Sequence, residues 1–330
     1  MLDLYRQHQP DLAMRMEFSA SVVEKPGEIN VFFINGDEVD QALRALHGMP
    51  RGAFNVVYPA WELPVYPQVW LDKLAQFDAV WAPSRFIQDG MAALTSRPVV
   101  HQPLACEVRL TSLLDRRYFG IPESSYAFLF FFDLRSYVSR KNPWAVMEAF
   151  EKLQEARPWS DSCLVLKLNG SEHDPAAARQ LRENIAKKRL RVVLIDETMT
   201  DNEIKNLVRC TDCFVSLHRS EGFGRGMAEA MYLGKPVIAT NYSGNTDFMD
   251  ESNSLLVRHE LVPVQEGEYP HAQGQVWAQA DTNQAAANMV TLVDSPAFGR
   301  QLGTQASRQV RLALGYLPSG LRYIDALAGC

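Results

Sequence analysis

The feature that most constrains this chain is the stretch from Phe214 to Met249, FVSLHRSEGFGRGMAEAMYLGKPVIATNYSGNTDFM. Phe214–Leu217 is a short apolar run of the kind that forms a buried parallel strand. His218 to Gly224 is polar and glycine-containing and reads as a loop. Arg225 to Leu233 suits a helix with Met227, Ala230 and Met231 on its core face. Gly234 stands where a helix takes its left-handed terminating residue. Pro236–Thr240 then reads as the next strand, and Ser243, Gly244 and Asn245 as the loop after it.

Glu221 lies before that helix and Glu229 inside it, with seven residues between them. Gly222, Gly224 and Gly226 let the backbone approach a ligand closely. A helix N-terminus presents N–H groups and partial positive charge, which suit phosphate oxygens. Carboxylates beside it accept hydrogen bonds from hydroxyls, so the expected ligand carries both phosphate and hydroxyls: a nucleotide sugar. A second anchor follows the strand Phe128–Phe132, where DLRSYVSRK runs from Asp133 to Lys141 and Asn142-Pro143 reads as an N-cap with proline at the first helical position. Lys141, with Arg135 or Arg140, is expected to form a diphosphate clamp beside this second helix end. No Asp-x-Asp motif follows a strand, so metal-independent chemistry and no cofactor are expected.

At these residues the chain resembles a known family. HRSEGFGRGMAEAM followed by GKPVIATNYSGNTDF is similar to the donor site of the family 4 retaining glycosyltransferases of GT-B fold. FFFDLRSYVSRKNPWAVMEAF resembles the family segment in which a basic pair holds the diphosphate. The resemblance implies transfer of a hexose from a nucleotide diphosphate sugar to a hydroxyl of a glycan or lipid-linked acceptor, with retention of configuration. It implies that Arg135 and Lys141 stabilise the departing diphosphate, with Arg140 as a competing cation. Glu221 would orient the sugar hydroxyls and Glu229 would hold the ribose. Backbone groups from Gly222 through Phe223, Gly224 and Arg225 to Gly226 would meet the phosphates, while His218, Ser243, Gly244 and Asn245 would line the pocket. Two alternatives stay open: a nucleotide-sugar-binding subunit without catalysis, and a sugar-nucleotide epimerase of related fold.

VVYPAWELP and AVWAPSRFIQDGM resemble segments of the family's acceptor-side domain. There Trp61 would stack on a sugar face and Glu62 would hydrogen-bond a sugar or acceptor hydroxyl. The histidine that many relatives carry near this strand end is replaced by Pro59, Ala60 and Trp61. Only 28 residues precede Ile29, and no GxGG-type loop is among them. The acceptor-side domain is therefore expected to be short or incomplete.

Strands alternate with helices along the whole chain, which predicts α/β architecture: two Rossmann-like doubly wound domains facing a cleft. The boundary is expected near the break in rhythm at 103–124, giving an acceptor-side domain over 1–115 and a donor domain over 116–330 closed by C-terminal helices. A helix at the start of the chain and a strand around Glu17–Val23 are also expected. A formal net charge of −6 gives no general reason to bind nucleic acid. No apolar run is long enough for a transmembrane helix, and the N-terminus has no apolar signal core, so a cytoplasmic protein is expected, with at most peripheral contact at the inner membrane face. Five cysteines in largely apolar surroundings suit a reducing compartment. The pair Cys210 and Cys213 reads as a helix end followed by a strand start.

Overall fold

The structure, a computed structural model, describes residues 29–328. The helix and strand expected before Ile29 lie outside the described residues. The chain divides into two compact units, one made of residues up to Ala105 together with those from Ala313 onward, the other of Cys106–Leu312. The boundary expected at 115/116 thus differs by ten residues, and the last helix belongs with the first unit.

In the first unit β1 (Ile29–Phe32), α1 (Val39–Ala45), β2 (Phe54–Val57), α2 (Gln68–Leu74), β3 (Ala79–Ala82), α3 (Arg85–Ala92) and β4 (Val99–His101) alternate. The four strands form a parallel sheet in the order β1-β2-β3-β4. Buried β2 and β3 are almost wholly apolar, as strands covered on both faces must be. Ser84 caps α3 by accepting a hydrogen bond from the Ile87 N–H.

The second unit begins with β5 (Tyr126–Asp133), the short α4 (Val138–Lys141) and α5 (Pro143–Ala156). It continues through β6 (Ser162–Asn169), α6 (Pro175–Lys188), β7 (Val192–Asp196) and α7 (Asp201–Cys210). Then come β8 (Cys213–Ser216), α8 (Arg225–Tyr232), β9 (Val237–Thr240) and β10 (Leu255–Val257). An antiparallel pair, β11 (His259–Pro263) and β12 (Val276–Ala280), precedes α9 (Thr282–Asp294) and α10 (Pro296–Leu314). Cys210 ends α7 and Cys213 opens β8, as the sequence indicates. Local chemistry sets the helix starts. Pro143 and Pro175 occupy first-turn positions behind the capping side chains of Asn142 and Asp174. Thr200 and Glu203 form a reciprocal capping box on α7.

Six parallel strands of this unit lie in the order β10-β9-β8-β5-β6-β7. The chain builds β5 to β7 outward in one direction, then returns to place β8 on the other side of β5. The order therefore reverses between β5 and β8, and that reversal leaves a crevice beyond their carboxyl ends. Phe128, Phe130 and Phe132 of β5 and Leu164, Leu166 and Leu168 of β6 pack one face against α5 and α9. Alternation then turns Phe131 and Lys167, which are in register, to the opposite face.

The last helix, α11 (Tyr316–Ala328), carries Tyr323, Ala326 and Leu327 onto the core of Val56, Tyr58, Ala79 and Trp81. Tyr323 meets the Trp81 ring edge-on, with centroids 5.1 Å apart. This contact is why the C-terminal helix joins the first unit rather than closing the second. Among the described residues no helix is long and apolar enough to cross a membrane.

Candidate donor site

The crevice at the strand reversal holds a cavity of about 390 Å³. Its walls come from the ends of β5, β6 and β8, the β7–α7 connection and the first turns of α8. Every wall residue belongs to the second unit.

Glu221 and Lys141 meet here. Lys141 Nζ lies 2.5 Å from Glu221 Oε1, and Arg140 Nη1 lies 3.4 Å from the same oxygen. The side chains are only 14% (Glu221), 19% (Lys141) and 5% (Arg140) exposed. Burial by itself would raise the Glu221 carboxyl. The Lys141 ammonium and Arg140 guanidinium outweigh it and hold the group at about 2. Lys141 lines the cavity, whereas Arg140 braces the loop by donating to the Ser220 carbonyl at 3.0 Å. Arg135 is turned away and pairs with Asp133 at 2.6 Å, with its side chain more than half exposed. The cation that partners Lys141 at Glu221 is therefore Arg140, and Arg135 stands at the rim.

Asn142 and Pro143 do not line the cavity. Both ends of the Asn142 amide are engaged: Oδ1 accepts from the Ala145 N–H, and Nδ2 donates to the Leu217 carbonyl at 3.0 Å. Asn142 thus caps α5 and joins the β5 loop to the end of β8. The start of α8 does face the cavity, through Gly224, Arg225 and Gly226. Gly224 takes φ +95° at the N-cap, a left-handed conformation that favours glycine.

Glu229, one turn further along α8, lines the same cavity. Burial raises its carboxyl, against the pull of Arg225 and Lys205. A raised carboxylate penalises the folded state: the penalty is absent below the unfolded value and complete above the folded one. Glu229→Gln should therefore raise Tm at pH 7, by about 1–3 °C. Calorimetry that finds no change would show a well-solvated carboxylate, and a decrease would show that Arg225 and Lys205 outweigh its burial.

Gly222, Phe223, His218, Ser243, Gly244 and Asn245 are not wall residues. They hold the wall in place. The Glu221 N–H donates to Ser243 Oγ at 2.8 Å, and the Gly244 N–H donates to the Glu221 carbonyl at 2.9 Å. Phe223 packs on Phe248, with ring centroids 5.3 Å apart. His218 is fully buried, and burial keeps it neutral by lowering its pKa. Asn245 Nδ2 donates to the Thr240 carbonyl, so Asn245 Oδ1 is an acceptor, 3.0 Å from His218 Nε2. The proton accordingly sits on Nε2, and Nδ1 accepts from the Ser216 hydroxyl at 3.0 Å. His218 is a strut between β8 and the loop after β9.

In the first unit Trp61 is 3% exposed, donates Nε1–H to the Val65 carbonyl and packs edge-on against Tyr66 and Trp70. It fills a core and is not offered as a stacking surface. Glu62 beside it is half-buried.

Sequence reading passed over Lys167, Asn169, Asp133 and Met199, all of which line the cavity. A signal for Lys167 existed: a lysine inside the apolar strand CLVLKLN is out of place unless it serves something.

Comparison with known proteins bears on the fold. A trehalose synthase of Pyrococcus horikoshii is 25% identical over 202 residues, spanning 58% of this chain and 42% of that protein. The crystal structure of TarM superposes with a TM-score of 0.66 at 13% identity, over 90% of this chain and 54% of TarM. Sucrose-phosphate synthase from Thermosynechococcus elongatus gives 0.66 at 17% identity, over 92% of this chain and 74% of its own. The chain thus spans about half the length of the trehalose synthase and of TarM. At such identities the structural likeness shows the fold, an α/β architecture on parallel sheets. The segment that builds the cavity and both of its loops, residues 116–259, matches the family of glycosyl transferases group 1.

Proposed function

We propose that the chain is a glycosyltransferase that moves a hexose from a nucleotide diphosphate sugar to a hydroxyl of a glycan or lipid-linked acceptor, with retention and without a metal ion. The observation that carries this reading is the cavity at the strand reversal, with Lys141 and Glu221 at the α8 start and Glu229 one turn further on. Lys141 and the N–H groups from Gly224 to Gly226 take the charge of the diphosphate as the glycosidic bond breaks. Glu229 accepts hydrogen bonds from the ribose hydroxyls. Glu221, ionised and held by Lys141, accepts from a sugar hydroxyl and fixes the ring. Arg135 swings from Asp133 at the rim to the departing phosphate. Glu62 remains the acceptor-side candidate. Related proteins support the donor class. A TarM G117R mutant from S. aureus was crystallised with Fondaparinux, alpha-GlcNAc-glycerol and UDP, and an E. coli protein was crystallised with UDP-2-fluoro glucose. The reaction is assigned to the cytoplasm, with at most peripheral membrane contact.

The direct test is a thermal-shift and calorimetric screen with UDP, GDP, ADP and their sugars, followed by release of the nucleoside diphosphate in the presence of an acceptor panel. At least one nucleoside diphosphate is expected to raise Tm, because a ligand that binds only the native state stabilises it. Absence of any shift across the screen defeats the reading. Binding with neither transfer nor slow hydrolysis assigns the chain a non-catalytic role.

A further inference from the structure

Lys167 is a charged wall residue to which the donor reading above gives no role. It is 4% exposed and lies on β6, the strand next to the sheet edge, beside Phe131 of β5 and Ile195 of β7. Among the described residues its side chain makes no hydrogen bond or ion pair. The carboxylates whose charge it feels are Asp133, Asp196 and Glu197, none of them within ion-pairing distance. Asp133 is already held by Arg135 and Asn169, and Asp196 by Arg182 and Ser171. Burial lowers the basicity of Lys167 against the pull of these groups, so charging it in this place is costly. A buried ammonium that lines a cavity calls for an acceptor from the ligand.

Its place in the sheet says which part of the ligand. The phosphate-facing groups, Lys141 and the α8 start, lie beyond β5 and β8. Lys167 is on β6, on the far side of β5 from β8, about 5 Å further along the sheet for each strand crossed. The cavity continues there toward Thr198, Met199 and Ile204, with Phe131 and Phe132 on the other side. These walls are mostly apolar and suit a flat heteroaromatic ring. An ammonium donates three hydrogen bonds and accepts none. Uracil and guanine offer it a carbonyl oxygen at the ring position where cytosine and adenine carry an amino donor.

We propose that Lys167 is a specificity-determining residue that donates to the nucleobase carbonyl oxygen at that ring position, O4 of uracil or O6 of guanine, and so selects a keto base over one with an amino group there, cytosine or adenine. The proposal rests on the donor reading of this cavity. A buried site built to satisfy a donor rejects the analogue that cannot do so, because the unmatched group stays desolvated.

The test is titration calorimetry of the full chain and of Lys167→Met with UDP, GDP, CDP, ADP and inorganic pyrophosphate. Methionine keeps the length of the stem and removes the ammonium; Lys167→Arg serves as the charged control. The wild type should bind UDP or GDP at least about tenfold tighter than CDP and ADP, the scale of one charged hydrogen bond. Lys167→Met should bring that ratio to within about threefold by weakening only the keto-base ligand. Pyrophosphate binding should be unchanged, and Lys167→Arg should retain part of the preference. Equal weakening of all four nucleotides and of pyrophosphate would make Lys167 a phosphate contact and overturn the proposal. So would a preference that survives in Lys167→Met with unchanged far-UV circular dichroism. If the wild type binds nucleotides but prefers amino bases, the donor reading stands and this proposal falls. If it binds none, both fall.

Discussion

Glu221→Ala is expected to lower the unfolding free energy by about 3 kcal/mol, because it leaves two largely buried cations without the counter-charge they share. Lys141 and Arg140 would then face each other across the space the carboxylate filled. Urea unfolding monitored at pH 7 measures the loss. The pH dependence checks its origin. The Glu221 pKa is depressed from its ordinary 4.5 to about 2, so its contribution is complete above the unfolded value and fades as pH falls from about 4.5 toward 2. The gap between wild type and variant should close over that window. The catalytic consequence separates from the structural one: transfer should fall by at least about 100-fold, while nucleoside diphosphate affinity is kept, since Lys141 is then released toward phosphate. A variant within about 0.5 kcal/mol of wild type and with undiminished turnover would show that the Lys141–Glu221 pair is a solvent-screened contact of no consequence.

Gly244→Ala is the second large effect. A Cβ there would stand 2.2 Å from the Gly222 carbonyl oxygen, 2.5 Å from its carbon and 2.8 Å from the Phe223 nitrogen. All three are backbone atoms, so no side chain can rotate away. The loop after β9 must separate from the loop after β8, and both hydrogen bonds between residues 221 and 243–244 are lost with it. We expect a cost of about 2–4 kcal/mol, combining overpacking with the broken bonds. Nucleotide affinity should fall at least about tenfold, because the Gly224–Gly226 segment is no longer held against the cavity. Calorimetry on the variant decides the matter: unchanged affinity together with an unchanged Tm would mean that the two loops are not fastened to each other.

The segment that builds the cavity was legible because its signals are local. Phe214–Ser216, Arg225–Tyr232 and Val237–Thr240 are each marked by apolar periodicity, and the glycines and proline between them punctuate the turns. That Glu221 and Lys141 meet could be anticipated from two strand ends of one sheet. Which arginine joins them could not, because Arg135 and Arg140 stand on two successive short turns, Leu134–Ser136 and Val138–Lys141, whose relative direction no local pattern sets. Lys167 escaped because its meaning depends on what does not pair with it, a property of three other carboxylates and their partners. Trp61 was misread for a similar reason: an aromatic at a strand end looks the same whether it faces a ligand or, as here, Tyr66 and Trp70. The allegiance of α11 turns on Tyr323 and Trp81, more than two hundred residues apart in sequence, and no local pattern encodes such a contact.

The reciprocal bonds between the loops after β8 and β9 also bear on motion. Ser243 holds the Glu221 amide, and the Glu221 carbonyl holds the Gly244 amide. Neither loop can open to water while the other stays shut, so the two share one opening free energy and behave as a single cooperative unit. Any fluctuation that lets a bound molecule escape past α8 must also unlatch a segment more than twenty residues further along the chain. The rate of departure is thereby tied to the strength of two hydrogen bonds, one to the Ser243 hydroxyl and one between backbone groups, that touch no ligand.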